Sequence, residues 1–499
     1  MKIFDVMKRS RKFSGIFAAL LTLGVATASA HDFEVDGIYY NYNENNTSVA
    51  VTFKGQSYDS YSDEYSGEVL IPAEVTYSGK TYTVTTIGED AFRKCFGLTA
   101  VEIPNTVTSI DYGAFYATSL RTMKIPESVK SIGVYAFACC DHLTSVEIPA
   151  SVTKINKNIF TTCHKLSSIV VDTENKVYDS RENCNAIIET ESNKLVCGCK
   201  TTVIPNTVTV VGFGAFEGCS DMVTMDIPSS VTLIEGYVFH LCKNLTTVFY
   251  NAKNCSEETY GVYYDCDKAI TFVIGEDVEK IGPFVLCAAS GGVQKIVMHS
   301  STPPEISSYT FPKDLGVLYV PKGSADNYRW AEVWSEFSDI REIGSPVDDV
   351  VIKKVAENHD NGTTIQLVAT VAPSNATLKD IYWSSENKEV ATVDQSGKVT
   401  VFRPGEVTIS AMAIDGSGVK GTYKLMFTPE SVEENVDDGE VTVRGENGVI
   451  RIEGAEGAAV EVYNAAGVCV FNGTATEVPV PQRGIYVVRV SGRVTKIVL

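Results

Sequence analysis

The amino-acid sequence predicts a mainly β chain: a repeat solenoid of about 23 residues per coil, followed by two small β-sandwiches. Three observations carry this. One phrase, A-F-x-x-C-x-x-L-x-x-V-x-I-P-x-x-V-x-x-I, keeps returning, clearest from Ala215-Phe216 to Ile234. Past Pro346 the phrase stops, and short alternating strands with turn residues between them run for roughly 80 residues, a sandwich pattern. After the acidic stretch Glu433–Glu440, alternation resumes to the end.

The chain opens on a different kind of segment. Lys8, Arg9, Arg11 and Lys12 form a basic start, Gly15–Ala26 is mostly apolar, and Ala28-Ser29-Ala30 is a small-x-small cleavage site before His31. That order predicts a secretory signal peptide over residues 1–30. No later run approaches the ~20 apolar residues of a membrane-spanning helix. The formal charge is −20, and removing five basic residues (Lys2, Lys8, Arg9, Arg11, Lys12) and one acid (Asp5) takes it to −24. Nucleic acid and anionic lipid both need a basic footprint, so neither is an expected partner. No oligomeric state follows from the sequence.

Residues 31–70 are expected to cap the open end of the solenoid. Gly37–Tyr40 and Ser48–Phe53 have strand character around an Asn-rich turn, and Ser57–Ser66 has loop character. The array occupies residues 71–343, with its terminal cap. Its aromatic marks are Phe92, Phe115, Phe137, Phe160, Phe216 and Phe239, at steps of 23, 22, 23, 56 and 23. The long step implies an insertion near Asp172–Thr201. Within it, Ala186-Ile187-Ile188 and Leu195-Val196-Cys197 flank Glu191-Ser192-Asn193 as a hairpin.

Each coil has a physical reading. Leu143-x-x-Val146-x-Ile148 puts apolar residues inside a short strand, and the following Pro ends it. Val152-x-x-Ile155 returns across the coil, and Ala-Phe begins a turn or short helical segment with Phe filling the interior. No coil buries its apolar face alone; stacked coils make a continuous core. Cys95, Cys140, Cys163, Cys219 and Cys242 each lie three residues after the repeat Phe, and Cys287 three after Phe284. One residue type at one place per coil predicts a packing column of reduced thiols, although coils stack closely enough for a disulfide. Cys139-Cys140 and Cys197-x-Cys199 are the alternative as redox or metal sites, but a second Cys or His pair at ligand spacing is not evident.

The phrase resembles the leucine-rich repeats of the BspA type, known from bacterial surface proteins. The stretches Tyr178–Ile188 and Thr302–Ile343 resemble further segments of that family. Trp383, Val390-Ala391-Thr392-Val393 and Gly405 fall in a pattern over residues 346–429 that resembles the group 2 bacterial immunoglobulin-like domain, with Trp383 as its core aromatic. Residues 441–499, through Asn464-Ala465-Ala466-Gly467, Gly484-Ile485-Tyr486 and Lys496-Ile497-Val498, resemble the sorting domain of the Bacteroidetes type IX secretion system. These resemblances imply a leucine-rich-repeat solenoid, an Ig-like sandwich and a small C-terminal β-sandwich. They also imply a secreted protein displayed on the outer surface of a Gram-negative bacterium.

No catalytic signature or cofactor motif is present, so the chain is not expected to be an enzyme. His142, His164 and His240 lie near repeat cysteines but on variable positions of the turn. Binding is the expected role. Exposed strand positions stack into columns: Thr99, Arg121, Thr144, Ser167, Val223 and Thr246 in one; Glu102, Lys124, Glu147, Val170, Asp226 and Phe249 in the next. The candidate ligand-face residues are Arg121, Glu102, Lys124, Glu147, Asp226 and Phe249, facing an extracellular protein or glycan. The alternatives are a structural surface or matrix protein without a specific ligand, and a secreted glycan-degradation accessory protein or hydrolase.

Overall fold

The structure is a computed structural model that describes residues 31–498 except 45, 56, 58–62, 256–259, 288–290, 308, 312–315, 359–363, 388–389, 402–404, 428–441, 447–448, 454–459, 465–468, 475, 481–484 and 491–492. The expected signal peptide, the acidic linker, half of the Ser57–Ser66 loop and residues 465–467 of the Asn464–Gly467 mark lie outside the described residues. The chain divides into two compact units. One holds the repeat array through Ile296 with 302–318 and 326–340; the other holds 297–301, 319–325 and the chain from Arg341 onward.

Each coil of the array has three sides. The first is a parallel sheet: Thr122–Lys124, Ser145–Ile148 and Ser168–Val171 pair in register, as do Thr224–Ile227, Thr247–Tyr250 and Ile270–Ile274. The second is the return strand: Lys80–Ile87, Ser109–Ile110, Ser131–Ile132 and Lys154–Ile155 run parallel. The expected N-terminal strands join it, because Ser48–Thr52 pairs with Lys80–Ile87 and Ile38–Tyr42 pairs with Ser48–Thr52.

The third side is a turn, and its geometry repeats. Residues two before and two after the core aromatic have positive φ in coil after coil: Asp90 and Lys94, Gly113 and Ala117, Tyr135 and Cys139, Asn158 and Thr162, Gly214 and Gly218, Tyr237 and Leu241, Gly261 and Asp265. This is why no helix forms there. Alternate amides point along the stack. Asp90, Phe92 and Lys94 donate to the carbonyls of Tyr112, Ala114 and Tyr116 in the next coil, while Ala91, Arg93 and Cys95 close turns within their own. Every second N–H is thus satisfied by a neighbouring coil, which a coil in isolation cannot supply.

The core is a stack of rings. Phe92, Phe115 and Phe137 are parallel within 2° at 5.1 and 5.5 Å, and Phe160 follows at 5.8 Å. Phe216 and Phe239 form a second stack, and Tyr263 continues it at 5.3 Å and 12°. The insertion separates the two. It is the expected hairpin, Ala186–Glu189 with Lys194–Gly198, whose second strand pairs in parallel with Val210–Val211. No pairing of Ser168–Val171 with Thr224–Ile227 is found among the described residues. On the turn side the stack continues across the insertion, because Thr162 N donates to Glu217 O at 3.2 Å.

The second unit holds two sandwiches. In the first, Asp349–Asn358, Thr364–Ala372, Lys398–Val401 and Ala391–Val393 make one sheet; Ile381–Ser385, Gly405–Ala413 and Lys420–Phe427 make the other. Trp383 is buried between them with Leu367, Val399, Ile409 and Ala411, as expected of a core aromatic. In the second, a three-stranded and a four-stranded sheet enclose Ile450, Ile452, Val460, Val462, Val478 and Val488.

Candidate interaction surfaces

The repeat cysteines are a column of donors as well as a column of packing atoms. The thiols of Cys140, Cys163, Cys242 and Cys266 lie 3.0–3.2 Å from the carbonyls of Phe115, Phe137, Phe216 and Phe239, the core aromatic one coil back. Cys95, Cys140, Cys163, Cys219, Cys242 and Cys266 are free thiols. Burial pushes Cys242 and Cys219 well above the ordinary thiol value, and Cys197 and Cys266 to about 12. These four thiols are held in the protonated, unreactive form, since the thiolate is the reactive form.

Cys287 is a correction. Phe284 has a positive φ and donates to Tyr309 O, as Tyr237 does to Tyr260 O. Phe284 therefore stands two residues before the core position, which Leu286 fills, and Cys287 takes the place of His240 instead of Cys242. The coil between Phe239 and Phe284 is marked by Tyr263 and Cys266. Gly261-Val262-Tyr263 aligns with Tyr237-Val238-Phe239 and Phe284-Val285-Leu286, a Val-based signal present in the sequence.

The expected ligand columns are partly dismantled. Thr99, Thr144, Ser167 and Thr246 turn their hydroxyls back onto the carbonyls of Gly67, Arg121, Thr144 and Val223, so this column fastens coils. The outward row is one residue later: Thr122, Ser145 and Ser168 stand opposite one another. In the second column Lys124, Glu147 and Val170 are aligned and exposed, and Glu102 and Arg121 are exposed nearby. Asp226 is exposed and accepts from Asn251 Nδ2 at 2.9 Å. Phe249, aligned with Asp226, is only 7% exposed, so it is a buried residue and not part of an open face. Its neighbour Val273 is buried too, because strand Ile270–Ile274 is covered on both faces. The insertion divides the column between Val170 and Asp226.

The turn side carries a surface that the columns did not anticipate. Phe213 and Tyr237 have ring centroids 5.5 Å apart, and Tyr260 and Tyr264 stand edge-on to Tyr237 at 5.6 and 6.3 Å. Tyr260 is 60% exposed and Tyr264 47%. Lys157 Nζ lies over the Phe213 ring at 4.7 Å. Tyr112 meets Tyr135 two coils nearer the N-terminus, and Tyr309 stacks on Phe284 toward the other end. Polar groups fix this strip. His240 Nδ1 is 3.0 Å from Glu217 Oε1 and its Nε2 is 3.5 Å from Asp265 Oδ2, while Asn158 Nδ2 donates to Glu217 Oε2. One imidazole thereby ties three coils. The strip was obscured in the sequence because its rings sit at differing offsets, two or three residues before the core aromatic and, for Tyr264, one after it.

His164, Ser220 and Asp141 also meet. Ser220 Oγ is 2.7 Å and Gly218 O 3.1 Å from His164 Nδ1, and Asp141 Oδ1 is 3.6 Å from Nε2. The contact fastens coils separated by the insertion. Cys199 lies against Thr201 Oγ1 at 3.2 Å and Asn185 O at 3.5 Å. Among the described residues no group of three or more His, Cys, Asp or Glu is placed to hold a metal ion.

Comparison with known proteins fits this geometry. Residues 76–188 and 186–315 match the BspA type leucine-rich repeat region, in six copies. The array is a BspA-type leucine-rich repeat region. Residues 346–423 match the group 2 bacterial Ig-like domain. Among curated relatives, an uncharacterized protein of Clostridium acetobutylicum is 34% identical over 98 residues, 20% of this chain and 25% of that protein. A 3-O-alpha-D-galactosyl-alpha-L-arabinofuranosidase of Bifidobacterium longum subsp. longum is 33% identical over 73 residues, 15% of this chain and 6% of the enzyme. The chain thus spans a quarter or less of the length of the curated relatives it matches. Among solved structures, a leucine-rich repeat protein from Bacteroides ovatus covers 63% of this chain and 100% of its own, at 21% identity and a TM-score of 0.32. Among the described residues no helix is long and apolar enough to cross a membrane.

Proposed function

We propose that this is an exported, cell-surface-associated interaction protein whose BspA-type array binds an extracellular protein or glycan. The observation that carries this is the turn-side strip Phe213, Tyr237, Tyr260 and Tyr264, in which half-buried Phe213 and Tyr237 on two successive coils support the exposed rings of Tyr260 and Tyr264 on the third. Tyrosine presents a wide contact area with a polar tip at little cost in side-chain freedom, and such rings dominate binding hot spots. The His240–Glu217–Asp265 network holds the backbone beneath them. The sheet row Glu102, Lys124 and Glu147, with Arg121 and Asp226, offers a second contact of alternating charge, suited to selecting a partner more than to holding it. In this reading the Ig-like domain spaces the array from the cell, and residues 441–499 direct its sorting.

The test uses the full chain on an array of immobilised extracellular-matrix proteins and glycans. Tyr260→Ala with Tyr264→Ala is expected to lower binding to whichever target is retained at least tenfold. Lys124→Glu is expected to change it less than threefold. Full retention by the double variant, with thermal stability unchanged, would overturn the assignment of the strip.

A further inference from the structure

The cap that follows the array contains a second, separate surface. Pro303, Pro304, Glu305 and Ile306 face Asp326, Asn327, Trp330, Ala331, Glu332 and Trp334 across a shallow cleft of about 550 Å³. Trp330 is 86% exposed, the most exposed large apolar side chain among those described. Trp330 lines this cleft beside carboxylates, and an exposed indole face next to polar groups is a stacking platform for a ligand with one apolar face.

The floor beneath it is rigid. Trp334 is 1% exposed, donates its indole N–H to Pro304 O at 2.9 Å, and is packed by Tyr328, Phe311 and Phe337. Between the two indoles, Val333 has φ +67°, a conformation that a β-branched residue adopts only when its surroundings enforce it.

Charge narrows the occupant. Three carboxylates line the cleft, which would suit a cation, but Asp326 is already paired with Arg329 at 2.9 Å and Glu305 with Lys280 at 2.8 Å. The two cations leave the rim with about one net negative charge, which with the −20 of the whole chain disfavours an anion, while the carboxylates of Asp326 and Glu305 that a cation would seek are already paired. Each paired carboxylate still has an oxygen to accept from a hydroxyl. The fitting ligand is uncharged, has one apolar face for the indole, and carries several hydroxyls at its edge. A pyranose ring has those properties.

We propose that the Trp330 cleft binds a hexopyranose unit of a neutral glycan, the C–H face of the sugar stacked on Trp330 and its hydroxyls donating to Asp326, Glu332 and Glu305. This site is independent of the turn-side strip. Affinity electrophoresis of the full chain through gels containing neutral polysaccharides (a β-glucan, a mannan, a galactan and an arabinogalactan) tests it. At least one gel is expected to retard the chain. Trp330→Ala is expected to weaken that retardation at least tenfold and Asp326→Asn about threefold, both with unchanged melting temperature. The Tyr260 and Tyr264 variant is expected to be retarded like the parent. No retardation in any of the four gels overturns the proposal. So does retardation that survives Trp330→Ala, or indole quenching by choline or dextran sulfate in place of the neutral glycans.

Discussion

The column of thiols offers a test in which two small substitutions move in a predictable order. Cys242 is fully buried, and its Sγ lies 3.2 Å from Phe216 O, a carbonyl that also accepts from Cys219 N at 3.0 Å. The thiol therefore serves the second lone pair. Cys242→Ala removes that donor, worth about 0.5–1.5 kcal/mol net, and one buried heavy atom, worth about 0.8 kcal/mol if counted like a methylene. The expected loss is about 2 kcal/mol. Each kcal/mol moves the midpoint of a 150–250-residue unit by about 2–4 °C, so the array transition should fall by about 4–8 °C. Cys242→Ser keeps a donor, and a stronger one, on a slightly shorter bond. Its loss should be below about 1 kcal/mol, or at most about 4 °C. If the thiol were only a small apolar filler, the order would reverse, because a hydroxyl buried without a partner costs more than a methyl. Calorimetry of the full chain under reductant reads the order directly. An alanine variant as stable as the serine variant, or more so, refutes the hydrogen-bonded column.

Other outcomes follow from the same structure. Burial raises Cys95 and Cys184 to about 11 and Cys197 and Cys266 to about 12. The folded state thus holds these protons more tightly than the unfolded chain does. Their stabilisation is complete below the unfolded value near pH 9 and is lost as pH rises toward 12, by about 1.4 kcal/mol per group per pH unit within that window. Melting temperature under reductant should be flat from pH 7 to 8.5 and fall steeply above 9; a flat profile to pH 11 would contradict the burial. Gly198→Ala would place a methyl 2.2 Å from Phe216 Cε1, so it should cost about 1–3 kcal/mol as an overpacked core does. Gly344→Ala, with no atom within 4 Å, should stay within about 0.5 kcal/mol and is the control in the same thermal scan. In the Ig-like domain, Gln395 clasps Trp383 through both of its main-chain groups, at 3.0 and 2.9 Å. Gln395→Ala should cost about 2–4 kcal/mol and redden Trp383 emission on earlier melting of that domain.

Much of the fold was legible because a solenoid writes each structural demand many times. Phe115, Pro126 and Val129 recur as Phe137, Pro149 and Val152, so even one coil with Thr118 in place of Cys kept its register. The hairpin was legible from Glu191-Ser192-Asn193 between apolar runs, and Trp383 from its place among alternating strands. The surfaces were less so. The sequence does not distinguish a hydroxyl pointing outward from one bonded to the coil behind it, which is why Thr144 and Thr246 looked available. Nor does a strand pattern reveal what covers it, which is why Phe249 looked exposed. The tyrosine strip escaped because Tyr237 and Tyr260 occupy different offsets from their core aromatics. Only the left-handed turn, set by backbone geometry and not by residue type, brings them together.

That turn ladder has a mechanical consequence. Hydrogen bonds between coils run along the stack, so a chain held at both ends carries load through them one coil at a time, as a zipper does. Where Gly67–Leu70 meets Leu98–Glu102, and where Thr122–Lys124 meets Ser145–Ile148, three parallel sets share the load: two sheets and the turn. At the insertion neither first-side strand nor return strand pairs across among the described residues, and Thr162 N to Glu217 O carries the main-chain link, helped by Asn158 with Glu217 and His164 with Ser220. The hairpin bridges the seam in place of the missing strands: Ile155 N donates to Tyr178 Oη at 2.9 Å and Thr201 Oγ1 to Ser167 O at 2.6 Å on one side, while Lys194–Gly198 pairs with Val210–Val211 on the other.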